Sequence, residues 1–228
     1  MNDFVNKILK SPLERPIRYA YKMWTLFNER LLNIETGQSA SGPGARQGLP
    51  DFRGIYTDHA VNKDNRDYVA SDYHNIGRMM RILAPGRDDV FYDIGCGKGR
   101  ILCVAARLRL KRVVGVELFE ELCTVARHNA ECLRGRKTPI DVICVDATKI
   151  DYSDGTVFML YYPFGELTMR AVIKSIRESF YKNPRNIRIG YYESPCEHIL
   201  AEESWLEKFA SFRTVGGNEI GFWRNKSR

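Results

Sequence analysis

The sequence predicts an α/β fold, built on a mostly parallel, seven-stranded sheet with helices on both faces and a C-terminal antiparallel hairpin. Three observations predict it. From Asp89 onward, short apolar runs rich in β-branched and aromatic residues alternate with segments of helical periodicity, the pattern of parallel strands joined by crossover helices. A glycine-rich run, Gly95-Cys96-Gly97-Lys98-Gly99, stands where the first of those strands gives way to the first helix. The last two strands have no helix between them and turn instead at Gly216-Gly217, as a hairpin does.

The elements follow in order. Ile17, Ala20, Trp24, Phe27, Leu31 and Ile34 recur at spacings of three and four, so they share one face of an N-terminal helix. Pro16 suits its first turn and Gly37 its end. That apolar stripe is expected to dock on the chain's own folded domain, with contact to a membrane surface or a partner as the alternative. Thr36 to Gly54 is rich in glycine and poor in apolar residues, and reads as a loop or linker. A second helix covers Asp72 to Leu83 and ends at Pro85-Gly86. Strands follow at Val90 to Ile94, Arg112 to Val116, Ile140 to Val145, Thr156 to Tyr161 and Asn186 to Tyr192. Helices lie between them at Ile101 to Leu110, Leu118 to Leu133 and Glu166 to Tyr181. Lys208 to Val215 and Glu219 to Arg224 form the hairpin. The domain division is residues 1–35, an amphipathic helical extension; 36–66, a Gly/Pro-rich linker and lead-in; and 67–228, the main domain.

Composition narrows the function classes. No apolar run approaches the ~18 residues that span a bilayer, and the N-terminus lacks the apolar core of a secretory signal. A cytoplasmic protein is the expectation. The six cysteines include no Cys-x-x-Cys pair, so they read as reduced, mostly buried thiols, and no metal site is expected. The net charge of +7 admits an anionic partner. Many of the cations, however, cluster at helix ends, at Arg107 to Arg112 and at Arg134 to Lys137, where they complement the helix dipole. Nucleic acid is therefore not the favoured partner.

The chemistry concentrates at Asp93-Ile94-Gly95-Cys96-Gly97-Lys98-Gly99-Arg100. Open α/β sheets bind ligands at such a strand-to-helix junction. Glycines let the backbone turn sharply and approach a ligand closely. Dinucleotide-binding loops use Gly-x-Gly-x-x-Gly, whereas here Arg100 takes the place of the last glycine. Asp93 precedes the first glycine. Its carboxylate would repel a pyrophosphate and suits the ammonium of an amino acid. Glu117 ends the second strand, where a carboxylate can accept hydrogen bonds from two ribose hydroxyls. Asp146 ends the third, where it can accept from an adenine amino group, with the Ala147 N–H beside it. Taken singly, each acid has a plainer role as a helix cap or turn residue. Three acids at three successive strand ends beside one glycine loop are hard to explain that way.

These motifs resemble the class I S-adenosylmethionine-dependent methyltransferases, which have a Rossmann-like fold. The resemblance is closest to bacterial members with a Tyr-rich lead-in (here Tyr68 to Tyr73), an Asp-x-Gly-x-Gly-Lys-Gly-Arg loop, a Gly-Val-Glu strand and an Asp-Ala turn. It covers roughly Asp67 to Pro195. It implies S-adenosylmethionine as cofactor, held by Tyr68, Asp93, Gly95, Cys96, Gly97, Glu117, Leu118, Asp146, Ala147 and Tyr161. The fourth-strand motif departs from the group: Tyr161-Tyr162-Pro163-Phe164-Gly165 carries Tyr162 where the group has Asn. The Asp/Asn-Pro-Pro-Tyr/Phe run that serves adenine nitrogen is absent.

On the acceptor side the candidate catalytic residues are Tyr162 and Glu193. Glu193 reads either as an acid, base or acceptor anchor, or as a solvated turn residue. Tyr68, Tyr73, Tyr161, Tyr162 and Phe164 are candidate rings to face a sulfonium. His74 and His198 read as surface or capping residues. The implied function is methyl transfer to an unidentified acceptor, with a protein side chain or a small molecule favoured. The competing readings are a non-catalytic cofactor-binding module and a nucleotide-dependent oxidoreductase.

Overall fold

A computed structural model describes residues 14–37, 70–161, 163–192, 196–214 and 217–226. Seven strands form one sheet in the order β3-β2-β1-β4-β5-β7-β6. They are β1 (Val90–Ile94), β2 (Arg112–Glu117), β3 (Ile140–Cys144), β4 (Val157–Tyr161), β5 (Arg188–Tyr192), β6 (Leu206–Arg213) and β7 (Glu219–Asn225). The pairs among β1 to β5 are parallel; β7 inserts antiparallel between β5 and β6. The chain steps outward from β1 through β2 to β3, then returns to β4 on the other side of β1. That reversal at β1/β4 is the topological switch point, and the crevice beyond its strand ends is where such sheets take ligands.

Alternation along the strands builds two cores. Phe91, Val113, Val157 and Met159 face one way, into a cluster with α2 (Tyr73–Leu83) and α3 (Arg100–Ala105). Tyr92, Val114, Phe158 and Leu160 face the other way, toward α5 (Glu166–Lys182) and α6 (Glu197–Glu202). A strand's side chains point to opposite faces in turn, so a sheet covered on both sides needs the near-continuous apolar runs this sequence carries. The remaining helix of the sheet region, α4 (Glu120–Cys132), follows β2 with Glu120 and Glu121 in its first turn, where acids complement the dipole. The Asp72 side chain accepts the His74 N–H (2.9 Å) and caps α2; Ala84, in the left-handed region, ends it.

The structure shortens some expected elements and adds others. The helix after the glycine loop ends at Ala105, because the chain must turn at once to reach β2. A short 3-10 turn (Ala147–Lys149) and α6 had no clear periodic signal. The hairpin's second strand, β7, pairs with β5 as well as with β6, so one strand of the hairpin lies within the sheet.

The N-terminal helix, α1 (Glu14–Leu32), overturns the docking expectation. Trp24, Phe27 and Leu31 are 50%, 58% and 51% exposed, and Ala20 is exposed as well. Of the proposed stripe only Ile34, beyond the helix end, is buried; the Ile17 side chain lies outside the described residues. The helix is held instead by its opposite side and its end. Leu32 enters the core, and the Glu29 carboxylate pairs with the buried guanidinium of Arg100 (3.0 Å). A buried charge is held only by a charged or well hydrogen-bonded partner, so this pair fixes the rotation of the helix more strictly than an apolar stripe can.

Candidate cofactor site at the strand ends

Strand register brings the three sequence-flagged acids to one edge. Asp93 pairs across from Gly115, and Glu117 from Cys144, two residues before Asp146. The Gly95 and Cys96 N–H groups donate to the Val116 carbonyl (2.8 and 3.0 Å), which ties the start of the glycine loop to the end of β2. Gly95, Gly97 and Gly99 all have positive φ, a region that side chains other than glycine's enter only with strain. Space excludes a side chain at Gly95 too, since a Cβ there would lie 2.2 Å from the Pro163 Cβ. The turn after β4 thus leans directly on the loop after β1, across the switch point.

The carboxylates differ in their surroundings. Glu117 accepts the Gly97 N–H on one oxygen (2.9 Å) and the Leu118 and Phe119 N–H groups on the other (2.8 and 3.1 Å). Burial raises its pKa, and those three donors oppose the rise. Asp93 is 1% exposed, and its Oδ1 has no hydrogen-bond partner among the described residues. Burial, with Glu117 nearby as a second cause, pushes it up to about 8. Asp146 is half-buried, and its Oδ1 accepts from the Thr148 N–H (2.9 Å) and hydroxyl (2.8 Å). A buried carboxylate left without a partner beside another carboxylate is a site that favours a cation.

The other flagged residues divide. Leu118, Ala147 and Tyr161 are half-buried at the same edge. Cys96 turns its sulfur under the loop toward Gly115, where a Cβ would lie 2.8 Å from the Sγ. Phe164 belongs to the core on the α5 side, and Tyr73 lies beneath the Arg100 guanidinium (4.8 Å to the ring centroid). These contacts occupy both rings in packing. Tyr68, Tyr162 and Glu193 lie outside the described residues. His74 and His198 are exposed. The described cysteines are free thiols; Glu120, Cys123 and Cys144 bring ligand atoms within 4.8 Å of one another, with Glu120 also paired to Arg127.

Two features escaped the sequence reading. Tyr161 and Tyr192, at the ends of β4 and β5, stack with centroids 3.9 Å apart at 6°. The Tyr192 hydroxyl also receives a hydrogen bond from Asn218 (3.3 Å). The second is a clasp on the glycine loop. Arg100 donates to the Thr36 hydroxyl (2.6 Å) and the Ser71 carbonyl (2.5 Å) as well as to Glu29, and the Lys98 ammonium donates to the Gly37 carbonyl (2.7 Å). Arg100 thus holds the N-terminal extension through Glu29, and both loop residues hold the segment that follows it, at Thr36 and Gly37. Their partners are 29 to 71 residues away in sequence, so no local pattern announces them.

Residues 92–161 match the methyltransferase domain family. A protein-lysine N-methyltransferase of Saccharolobus islandicus is 33% identical over 95 residues, covering 41% of this chain and 58% of that protein. A 23S rRNA (uracil(1939)-C(5))-methyltransferase of Burkholderia ambifaria is 26% identical over 163 residues, covering 67% of this chain and 34% of that protein. The chain thus spans 58% and 34% of these relatives' own lengths. Among solved structures, an RNA methyltransferase from Salinibacter ruber in complex with S-adenosyl-L-homocysteine superposes with a TM-score of 0.54 at 23% identity, covering 70% of this chain and 95% of that one. An S-adenosylmethionine-dependent O-methyltransferase from Thermotoga maritima gives 0.55 at 17%, covering 71% and 68%. The architecture is the class I methyltransferase fold. Residues 92–161 carry the match to the methyltransferase domain, inside a sheet with that architecture.

Proposed function

We propose that this chain transfers a methyl group from S-adenosylmethionine to a side-chain amine of a protein. The observation that carries the cofactor assignment is Asp93: a buried carboxylate with an unsatisfied oxygen, beside Glu117 and the glycine loop. An amino-acid ammonium fits that need, and an anionic ligand does not. In this reading Asp93 and the backbone of Gly95 to Gly97 hold the amino-acid end. Glu117 takes the ribose, and Asp146, Leu118 and Ala147 border the adenine. The cofactor supplies an activated methyl on a sulfonium. The chain's own work is to orient and enclose, and alignment of reacting groups alone is worth roughly 7–11 kcal/mol.

Support for an amine acceptor comes from the β4 and β5 ends. The Tyr161–Tyr192 stack offers aromatic surface that attracts a cationic amine, on the order of 0.5–2 kcal/mol. The S. islandicus relative is named for methylating protein lysine. Tyr162 and Glu193 are proposed to anchor the acceptor and to take its proton. Residues 67–228 are proposed as the cofactor-binding domain, with residues 1–35 as an extension clasped to its loop.

The test is transfer of labelled methyl from S-adenosylmethionine into whole-cell extract, with protein, RNA and metabolite fractions separated and the protein hydrolysed. Label recovered as methyl-lysine is the expected result. Label in RNA alone moves the acceptor to nucleic acid, and cofactor binding without any labelled product returns the chain to a non-catalytic module.

A further inference from the structure

The helix α1 is fastened to the domain by its polar side. With about 100° per residue, Thr25, Asn28, Glu29 and Leu32 point toward the domain, while Met23, Trp24, Phe27 and Leu31 point away. The outward side is aromatic and aliphatic, and Trp24 and Phe27 stack on each other at its centre (6.0 Å between centroids). Monomeric proteins rarely leave such a contiguous patch without an occupant.

Charge identifies that occupant. The helix carries four cations (Arg15, Arg18, Lys22, Arg30) and two acids, and one of those acids, Glu29, is consumed by Arg100. At the helix end the Arg134 N–H donates to the Leu32 carbonyl (2.9 Å). This joins α1 to a turn in which Arg134, Arg136 and Lys137 are all exposed, with the Arg107 guanidinium beside Gly135. Glu131 is the exposed acid nearest in sequence to that turn. An aromatic apolar face on a helix that also exposes Lys22 and Arg30, continued by a cationic turn, matches the interface of an anionic bilayer, where rings sit at headgroup depth and Lys and Arg meet lipid phosphate. A nucleic acid would satisfy the cations but offers nothing to Met23 and Leu31. No helix among the described residues is long and apolar enough to cross a membrane.

We propose that α1 and the Arg134–Lys137 turn seat this protein peripherally on an anionic membrane surface. The inference stands apart from the methyl-transfer reading, because it rests on α1 and not on the strand ends.

Trp24 is the test's own reporter, since Trp205 and Trp223 are both buried. The full-length chain is titrated with vesicles of phosphatidylglycerol and phosphatidylcholine, and with phosphatidylcholine alone, following tryptophan emission and co-sedimentation. The expected result is a blue shift and sedimentation with the anionic vesicles only, reduced at least tenfold in Phe27→Glu/Leu31→Glu and weakened by salt. A wild-type far-UV circular-dichroism spectrum and a cooperative thermal melt in that variant show that it folds. No sedimentation with anionic vesicles overturns the proposal. So does equal sedimentation of the variant, or a dimer in sedimentation velocity that the same substitutions dissolve.

Discussion

The two halves of the crevice edge are built from different chemistry. On the β3-β2-β1 side the chain turns through acids, Asp146, Glu117 and Asp93; on the β4-β5 side the strands end in stacked tyrosines, Tyr161 and Tyr192. The acidic half is fixed by backbone hydrogen bonds, because Glu117 is held by three N–H groups and the glycine loop by the Val116 carbonyl. The aromatic half is fixed by ring stacking. In the proposed function the first half takes the polar, cationic parts of the cofactor and the second walls the space where the acceptor meets it. Asp93 shows the cost of the arrangement: a carboxylate kept without a partner destabilises the empty protein.

The largest effect should come where the acidic half is clasped to the N-terminal extension. Arg100→Met leaves Glu29 buried without its cation and should cost about 3–5 kcal/mol in urea unfolding. Replacing both partners, Arg100→Met with Glu29→Leu, should recover much of that loss. A single substitution no worse than a surface change would mean that the clasp is slack.

Next in size is Asp93→Asn. Cofactor affinity should fall more than tenfold, on the order of 1.4 kcal/mol, while the empty protein becomes more stable at pH 7. The sign follows from protonation. With its pKa raised from 3.8 to about 8, Asp93 is protonated in the folded chain and ionised in the unfolded chain across that window. The empty wild type therefore loses stability as pH rises from 3.8 toward 8, and thermal melts of the Asn variant should lack that slope. For the same reason wild-type cofactor affinity should tighten from pH 6 to pH 8, by at most about tenfold per unit, and be flatter in the variant.

Smaller still, and confined to the other half, Tyr161→Ala should slow turnover by roughly 3–30-fold, as loss of a cation–π wall predicts. Cofactor affinity should move much less. A calorimetric Kd that worsens as much as turnover would place Tyr161 in the acidic half's function and dissolve the division.

Legibility in the sequence follows the same line. The glycine loop and the three acids could be read because each sits at a fixed offset from a periodic strand, and parallel register then brings strand ends together without further information. The Tyr161–Tyr192 stack needed the β4/β5 register, which no single segment carries. The Arg100 clasp joins residues far apart in sequence and was invisible for that reason. The apolar stripe of α1 was legible as a stripe. Its direction was not, because periodicity gives the face of a helix and leaves its rotation to whichever contact is strongest, here a buried ion pair. Tyr68, Tyr162 and Glu193 keep their sequence-based reading, since they lie outside the described residues.

The most direct measurement is a calorimetric titration of S-adenosylmethionine into wild type and Asp93→Asn at pH 8. One site is expected in the wild type and at least a tenfold weaker one in the variant, which must also melt no lower than wild type. Equal affinities in two folded proteins would contradict it, because the unpartnered carboxylate would then have no cation to hold.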